Sequence, residues 1–589
     1  MVSRKTVPAI LLLGLFLISV GFCQSLEENF NDFLHYTKIG RFDLAKGYAK
    51  VLLESEPDPL ELFDLSKENS AGFSFLQRVN EIAPDDELVE YAGKILSVIE
   101  RGRFIRRREP RIIVDEIKRL STTERGKLTA VKRLKDAGEY AIPYMLDAIT
   151  DDSRADEFTN IVWALPQIGR DAIRPLVAAL QTRNVSVKVE IIRALGGILY
   201  PQSLAYLKYI VEKDDSDELR DLAAESIRRI EPTLTSVPSA ELFYRLAESY
   251  YYHSPSLAPA EDADFANIWF WDPERQRLVR AEVDKSCFHE LMAMRCCEWA
   301  LKADPGFGLA IGLWLASFFK AESTGVQMPA YFGEEHADAL VYATTAGPEY
   351  LHQALARAIR DKNADVALGA VEALATTAGE RSLLYTLGPT QPLLQALSFD
   401  DKAVRYSAAI AIASAGPQVR FAESSLVVEN LAEALGQIDE GQTINPNSYA
   451  IRSAEAMLKL AQSRNQVVDL SLAQNALVKA TRDNQVEIQI LSGQVLAYLK
   501  SPEAQRAIAA MALDISNDME VRVLAFNSLV TSAKINANML PEDIIDQIYL
   551  LISSDETNPD LRSAAAAAYG ALNLPSQKVK DLILDQAKS

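Results

Sequence analysis

The chain has 589 residues, 48% of them hydrophobic and 24% charged, the balance of a folded protein long enough for several domains or one extended array. Its 81 acidic against 61 basic side chains leave a formal charge of -20, a field that repels nucleic acid and anionic lipid. Disorder and whole-chain nucleic-acid binding are set aside on these grounds.

Arg4 and Lys5 precede the apolar run AILLLGLFLISV (Ala9 to Val20), which gives way to GFCQS and the acidic LEEN. This is the pattern of a signal peptide over 1–23. The run is shorter than the roughly 20 residues a spanning helix needs. Small residues place cleavage after Gly21 or after Cys23, and an uncleaved membrane anchor is the alternative. Phe22 stands where a bacterial lipobox has a small residue, which argues against lipidation of Cys23. The expected location is exported, periplasmic or extracellular, with no integral membrane domain in the mature chain.

In HYTKIGRFDLAKGYAKVLLESEPDP, His35 to Pro59, Gly40 sits between two helical stretches, Ala45 and Tyr48 lie on the second, and Pro57 closes it. The segment resembles a tetratricopeptide unit, so 25–105 is read as a TPR-like helical region. LVEYAGKILSVI follows, with Leu88, Ala92, Ile95 and Ile99 on one stripe. After it comes RGRFIRRREPR, six arginines in eleven positions. A continuous helix would bring Arg106 back onto the apolar stripe, since eighteen residues make about five turns. The spacing therefore predicts a break near Gly102 and a new helix opened by Pro110. Residues 25–100 carry 7 basic and 16 acidic side chains, and residues 101–140 carry 13 and 6. This contrast favours an internal electrostatic seam, with Arg106, Arg107 and Arg108 as a patch for an anionic ligand or envelope surface in the competing reading.

Internal repetition starts beyond Pro110. GEYAIPYMLDAI (Gly138 to Ile149) and GRDAIRPLVAAL (Gly169 to Leu180) share Gly, Ala and Ile at a period of 31, and QPLLQAL at 391–397 repeats the second half. DDKAVRYSAAIAIASAGPQ (400–418) supplies the companion element: a capping aspartate, Val404, Ala408, Ala411 and Ala415 at helical spacing, then Gly416 and Pro417 as a stop. Its Val-Arg position returns as Leu219-Arg220, Ile451-Arg452, Val521-Arg522 and Leu561-Arg562. These residues resemble HEAT repeats, the armadillo-like α-solenoid class, over 110–232 and 345–589. The resemblance implies an all-α solenoid of antiparallel helix pairs. It also implies that Arg220, Arg405, Arg452, Arg522 and Arg562 bond acidic or amide groups of adjacent repeats as a structural ladder.

The block 233–344 interrupts the pattern. CCEWALKADPGFGLAIGLWLASFF (296–319) has a second TPR-like Asp-Pro ending. Ahead of it, IWFW and QRLVRAEV alternate around Asp272-Pro273 as a short β-hairpin insertion. The block resembles an element of secreted bacterial HEAT-repeat proteins of unassigned function. Trp269, Phe270 and Trp271 are candidate partner-binding residues. The favoured competing reading packs alternate rings inward, with the middle ring facing the other way.

Cys287, Cys296 and Cys297 fall on one helix, and a nine-residue separation of about 13.5 Å forbids a bridge between the first and either of the pair. They read as buried small hydrophobes. No zinc, phosphate-loop, dinucleotide or hydrolase motif occurs. Di-iron deoxyhypusine hydroxylases, an enzymatic HEAT family, need several His-Glu pairs, and His289-Glu290 is the one here; a second such family, related to phycobilin lyases, offers no residue to carry over. GEEHAD (333–338) reads as a polar surface rather than a metal site. No catalytic residue, metal or cofactor is assigned. The expected function is a non-catalytic exported scaffold or adaptor for protein partners. The alternatives are an enzyme or enzyme subunit with a site in 253–336, and a membrane-anchored structural component of the envelope.

Overall fold

The computed structural model describes residues 25–79, 85–260, 263–333, 335–437 and 448–575, with 577, 580, 583 and 584. The expected signal segment lies outside the described residues. Among the described residues the chain is mainly helical, with one two-stranded sheet, Phe265–Asp272 against Arg277–Asp284. It forms two compact units. One comprises the described residues up to Ile198 with Ala260–Asp264 and Phe270–Val279; the other comprises Leu199–Pro259, Phe265–Trp269 and the rest from Arg280. The division at 198/199 falls inside the 110–232 repeat block.

The first unit begins with helices Leu26–Lys38 and Phe42–Glu54. Ser25 and Glu28 close the first by a capping box. Gly40 turns the chain at φ +76°, and Tyr36 stacks on Tyr48 with centroids 5.4 Å apart. Phe30, Phe33, Ala45, Ala49 and Leu52 form the core with Leu88, Ala92, Ile95 and Ile99 of the next long helix.

That long helix is a correction to the sequence reading. It runs unbroken from Asp86 to Arg108, straight through Gly102. Gly102 is buried there because a Cβ would come 1.8 Å from the Pro59 carbonyl oxygen, so the glycine admits a neighbouring backbone instead of stopping the helix. Arg106 does continue the apolar stripe, but its guanidinium pairs with Asp64 on helix Pro59–Glu68. The stripe thus ends in an ion pair rather than in solvent. Pro110 opens helix Pro110–Arg119 as expected.

The two 31-spaced glycines do the same job twice: Gly138 at φ +60° and Gly169 at φ +81° turn the chain into helices Ala141–Thr150 and Ile173–Ala179. Both backbones lie in the region an L side chain avoids. Ile142 and Ile173, the shared isoleucines, are fully buried.

In the second unit the companion helices begin on side-chain caps that accept from the backbone three residues on: Ser216 from Leu219, Asn363 from Val366, Asp401 from Val404 and Ser448 from Ile451. Val404, Ala408 and Ala411 are buried, and Gly416 ends its helix in the left-handed region. Small alanines on these faces let neighbouring helices approach closely.

The arginine ladder is built differently from the implied one. Arg220 donates to the Asp214 carbonyl (2.8 Å), Arg405 to Phe399 (3.0 Å), Arg522 to Ala512 (3.1 Å) and Arg562 to Ser554 (2.7 Å). Each carbonyl lies at or just past the C-terminal end of the preceding helix, where carbonyls lack helical partners and a cation is favourable. Only Arg405, to Asn430 and Glu433, and Arg452, to Glu372, reach an amide or acidic group on another repeat. The ladder mainly closes the turn within each repeat.

Candidate functional site

The central helices of the second unit, Ser239–Tyr251, Phe288–Ala303, Leu309–Glu322, Ala339–Ala346 and Pro348–Asp361, pack in succession. They enclose charged side chains beside their apolar core. The Glu290 side chain is 1% exposed; His253 Nε2 lies 2.5 Å and Lys320 Nζ 3.1 Å from its Oε1. His253 stands at φ +51° just past the first of these helices and stacks on His289, centroids 4.6 Å apart. His253 Nε2 and Lys320 Nζ also lie 3.0 Å apart, so the three groups form one cluster. Lys320 then serves Glu290 and the Tyr251 carbonyl, 2.8 Å away. Burial pushes the Glu290 carboxyl up, but the His253 hydrogen bond and the Lys320 charge together outweigh it and hold the group below its ordinary range.

A second brace joins the first and last helices of this set. Buried Arg357 donates to the Tyr244 hydroxyl (2.7 Å), the Tyr252 hydroxyl (2.9 Å) and Glu248 (2.7 Å). Tyr252 donates onward to Asp361 at 2.9 Å. Burial pushes the Tyr244 hydroxyl up to about 12. The same cause pushes the thiols up, Cys287 to about 11 and Cys296 to about 12. They are protonated at neutral pH and inert as nucleophiles, free and buried as the sequence reading has them.

On the outside of this block lies an aromatic ridge. Trp314 meets Tyr342 at 5.4 Å, buried Phe318 joins Tyr342 and Phe332 at 5.8 Å each, and Tyr331 leans on Phe332 at 5.0 Å. Tyr331, Leu340, Val341 and Tyr342 are exposed, Val341 by 51% and Tyr342 by 42%, while Ala339 and Ala343 fix their helix inward. Carboxylates edge the ridge: Glu298 accepts from the Trp314 indole at 3.2 Å, and Asp338 caps the helix through Val341 N at 2.9 Å. Asp338 of GEEHAD therefore works as a cap, and His336 packs its ring on Phe332. Glu334 lies outside the described residues.

The residues expected to bind fare differently. Trp269 is 5% exposed, and with Ala266, Asn267 and Ile268 it makes four successive buried positions. Strict alternation fails because both faces of this strand are covered. Phe270 and Trp271 are half-buried, so none of the three rings stands free as an anchor. The hairpin turn is held by Asp272, which accepts from the backbone of Glu274 (2.9 Å) and Arg275 (3.0 Å). Arg106, Arg107 and Arg108 do not form an open anion patch either. Arg106 is paired with Asp64, Arg107 lies against Gly138, and Arg108 stacks 5.0 Å over Phe104 and 5.6 Å over Tyr140. Sequence reasoning missed the ridge because its rings are spread from 314 to 342 over two helices and a turn. The one signal was the density of aromatics in YFGEEHADALVY, 331–342.

These helix pairs define the chain as an all-α solenoid with one short β-hairpin. A family model described as HEAT repeats matches residues 142–228. No curated protein matches the chain. Among solved structures, it is similar to UNC-45 from Drosophila melanogaster at 14% identity, covering 93% of this chain and 78% of that one, TM-score 0.32. Human deoxyhypusine hydroxylase in complex with glycerol is similar at 13% identity over 76% and 98%, TM-score 0.20. An engineered protein is similar at 16% identity over 88% and 99%, TM-score 0.22. Among the described residues no helix is long and apolar enough to cross a membrane.

Proposed function

We propose that the protein is an exported, non-catalytic scaffold that binds protein partners, and that the ridge from Trp314 to Tyr342 is its docking surface. The observation that carries this reading is the exposure of Leu340, Val341 and Tyr342 on a helix of a braced block, with the Tyr342 ring packed on Trp314 and Phe318. Aromatic anchors at low entropy cost are what interface centres use. The neighbouring Glu298, with a chain charge of -20, favours a partner segment that places apolar anchors beside basic side chains. Stacked repeats support the role, since each contacts only its neighbours and leaves a long surface free. Export rests on the N-terminal segment 1–23, and N-terminal sequencing of the mature protein checks it.

The test is recovery of partners from the exported fraction with the wild-type chain and with the double variant Val341→Asp, Tyr342→Ala. A stoichiometric partner bound by the wild type, at least ten-fold weaker on the variant and released by salt, is the expected result. Equal recovery by the variant, or substrate turnover by the isolated chain, would overturn the reading.

A further inference from the structure

A second feature of the same unit shares helix Ser239–Tyr251 with the charged braces. The turn at Tyr200–Gln202, helix Leu204–Lys213, Leu234, helix Ser239–Tyr251 and Leu257 enclose a half-open cavity of about 430 Å³. Its wall is aliphatic: Leu204, Leu234, Leu242, Leu246 and Leu257, of which Leu204, Leu242 and Leu257 are at most 5% exposed.

The polar groups around it are mostly occupied by the protein itself. Gln202 donates to the Tyr250 hydroxyl at 2.6 Å, the Tyr200 hydroxyl to the Ser256 carbonyl at 2.9 Å, and Ser249 to the Arg245 carbonyl at 2.9 Å. Arg245 is the exception and the one charged residue of the lining. Its Nε is engaged by Glu241 at 3.0 Å, and among the described residues its two terminal nitrogens have no protein partner. A guanidinium with its forked end open suits a carboxylate, which it can hold by two parallel bonds.

We infer that this cavity is a binding site for a small amphiphile with a linear aliphatic body and one carboxylate, the chain lying against the leucines and the headgroup on Arg245. The volume falls in the range of ligand clefts, on the order of 300–1,000 Å³. An aliphatic body matches a wall made mainly of leucines, and a single cation at the margin selects a single anion. Glu241 beside Arg245 disfavours a polyanionic headgroup such as a phosphate monoester.

The experiment is titration of the full-length protein, below the micelle concentration, with octanoate, decanoate and dodecanoate, and with decanol as the neutral counterpart. Saturable one-to-one binding is expected, tightening by about three- to four-fold per methylene until the cavity is full. Decanoate is expected to bind at least ten-fold more tightly than decanol. Arg245→Met removes that preference and leaves decanol unchanged. Leu246→Trp fills the cavity from a half-buried position and abolishes both, with an unchanged melting temperature reporting that the fold is intact. Should the tryptophan variant melt early, Leu234→Trp, at another position of the lining, replaces it. The inference is overturned by non-saturable uptake, by decanol binding as tightly as decanoate, or by decanoate binding that neither tryptophan diminishes.

Discussion

The repeats from 402 to 571 and the five central helices between Ser239 and Asp361 belong to one compact unit, yet they are braced by different chemistry. In the repeats, caps start the companion helices, alanines line the faces, and arginines close the turns onto backbone carbonyls. In the central block, a buried carboxylate with lysine and histidine and a buried arginine with three tyrosine and glutamate partners tie the helices together. The repeats lose little if a single contact goes, because each is small and local. The central block adds a few buried charged contacts to its apolar core, and removal of one leaves the others uncompensated.

The sharpest way to break this contrast is Glu290→Ala. Taking away one member of a buried pair costs about 3–5 kcal/mol, and the partial exposure of His253 and Lys320, at 46% and 23%, places this case near about 3 kcal/mol. Denaturant unfolding of wild type and variant measures it. The electrostatic part has a defined pH window. The folded carboxyl is held below its ordinary value of 4.5, so the unfolded chain takes up the proton first. The stabilisation is fully present above about pH 4.5 and is lost as pH falls through the lower folded value. The gap between wild type and variant therefore narrows on acidification, whereas an unchanged gap down to pH 3 would show that packing alone sets it.

The same contrast separates what could be read along the chain from what could not. Caps, the 31-residue glycine pair and the Val-Arg positions lie within a few residues of the groups they act on, so their spacing is a local signal. The HEAT-like character, the hairpin and the buried cysteines were legible for this reason. Gly102 misled because its partner, the Pro59 carbonyl, is 43 residues away, and a glycine that admits a neighbour looks like one that ends a helix. Arg106 misled likewise, since Asp64 is 42 residues off. Glu290 draws on residues 37 and 30 positions distant, and the ridge assembles rings from three elements. Such contacts have no period, and a single sequence does not place them.

A smaller effect sharpens the other half of the comparison. Ala408 is fully buried on the face of helix Lys402–Ala415. Ala408→Leu adds three carbons where neighbouring helices approach closely, and overpacking of this kind costs about 1–3 kcal/mol. If the repeats are a close alanine-lined stack, the loss appears in denaturant unfolding while ridge-dependent partner binding is retained. A neutral or stabilising result would mean that the stack is loose enough to accept bulk.

The smallest effect tests whether the repeats are locally held. Asp401 accepts from Val404 N at 3.2 Å and does nothing else that ties distant helices. Asp401→Ala removes one backbone partner at one helix start, worth about 1 kcal/mol, and Asp401→Ser restores most of it because a hydroxyl caps as well. Amide exchange should rise at Val404 and its first-turn neighbours and remain unchanged around Glu290, more than 100 residues earlier in sequence. Exchange that spreads to the central block would show the cap to be coupled to the charged braces. That result would erase the distinction between a stack held everywhere by small contacts and a block held by a few large ones.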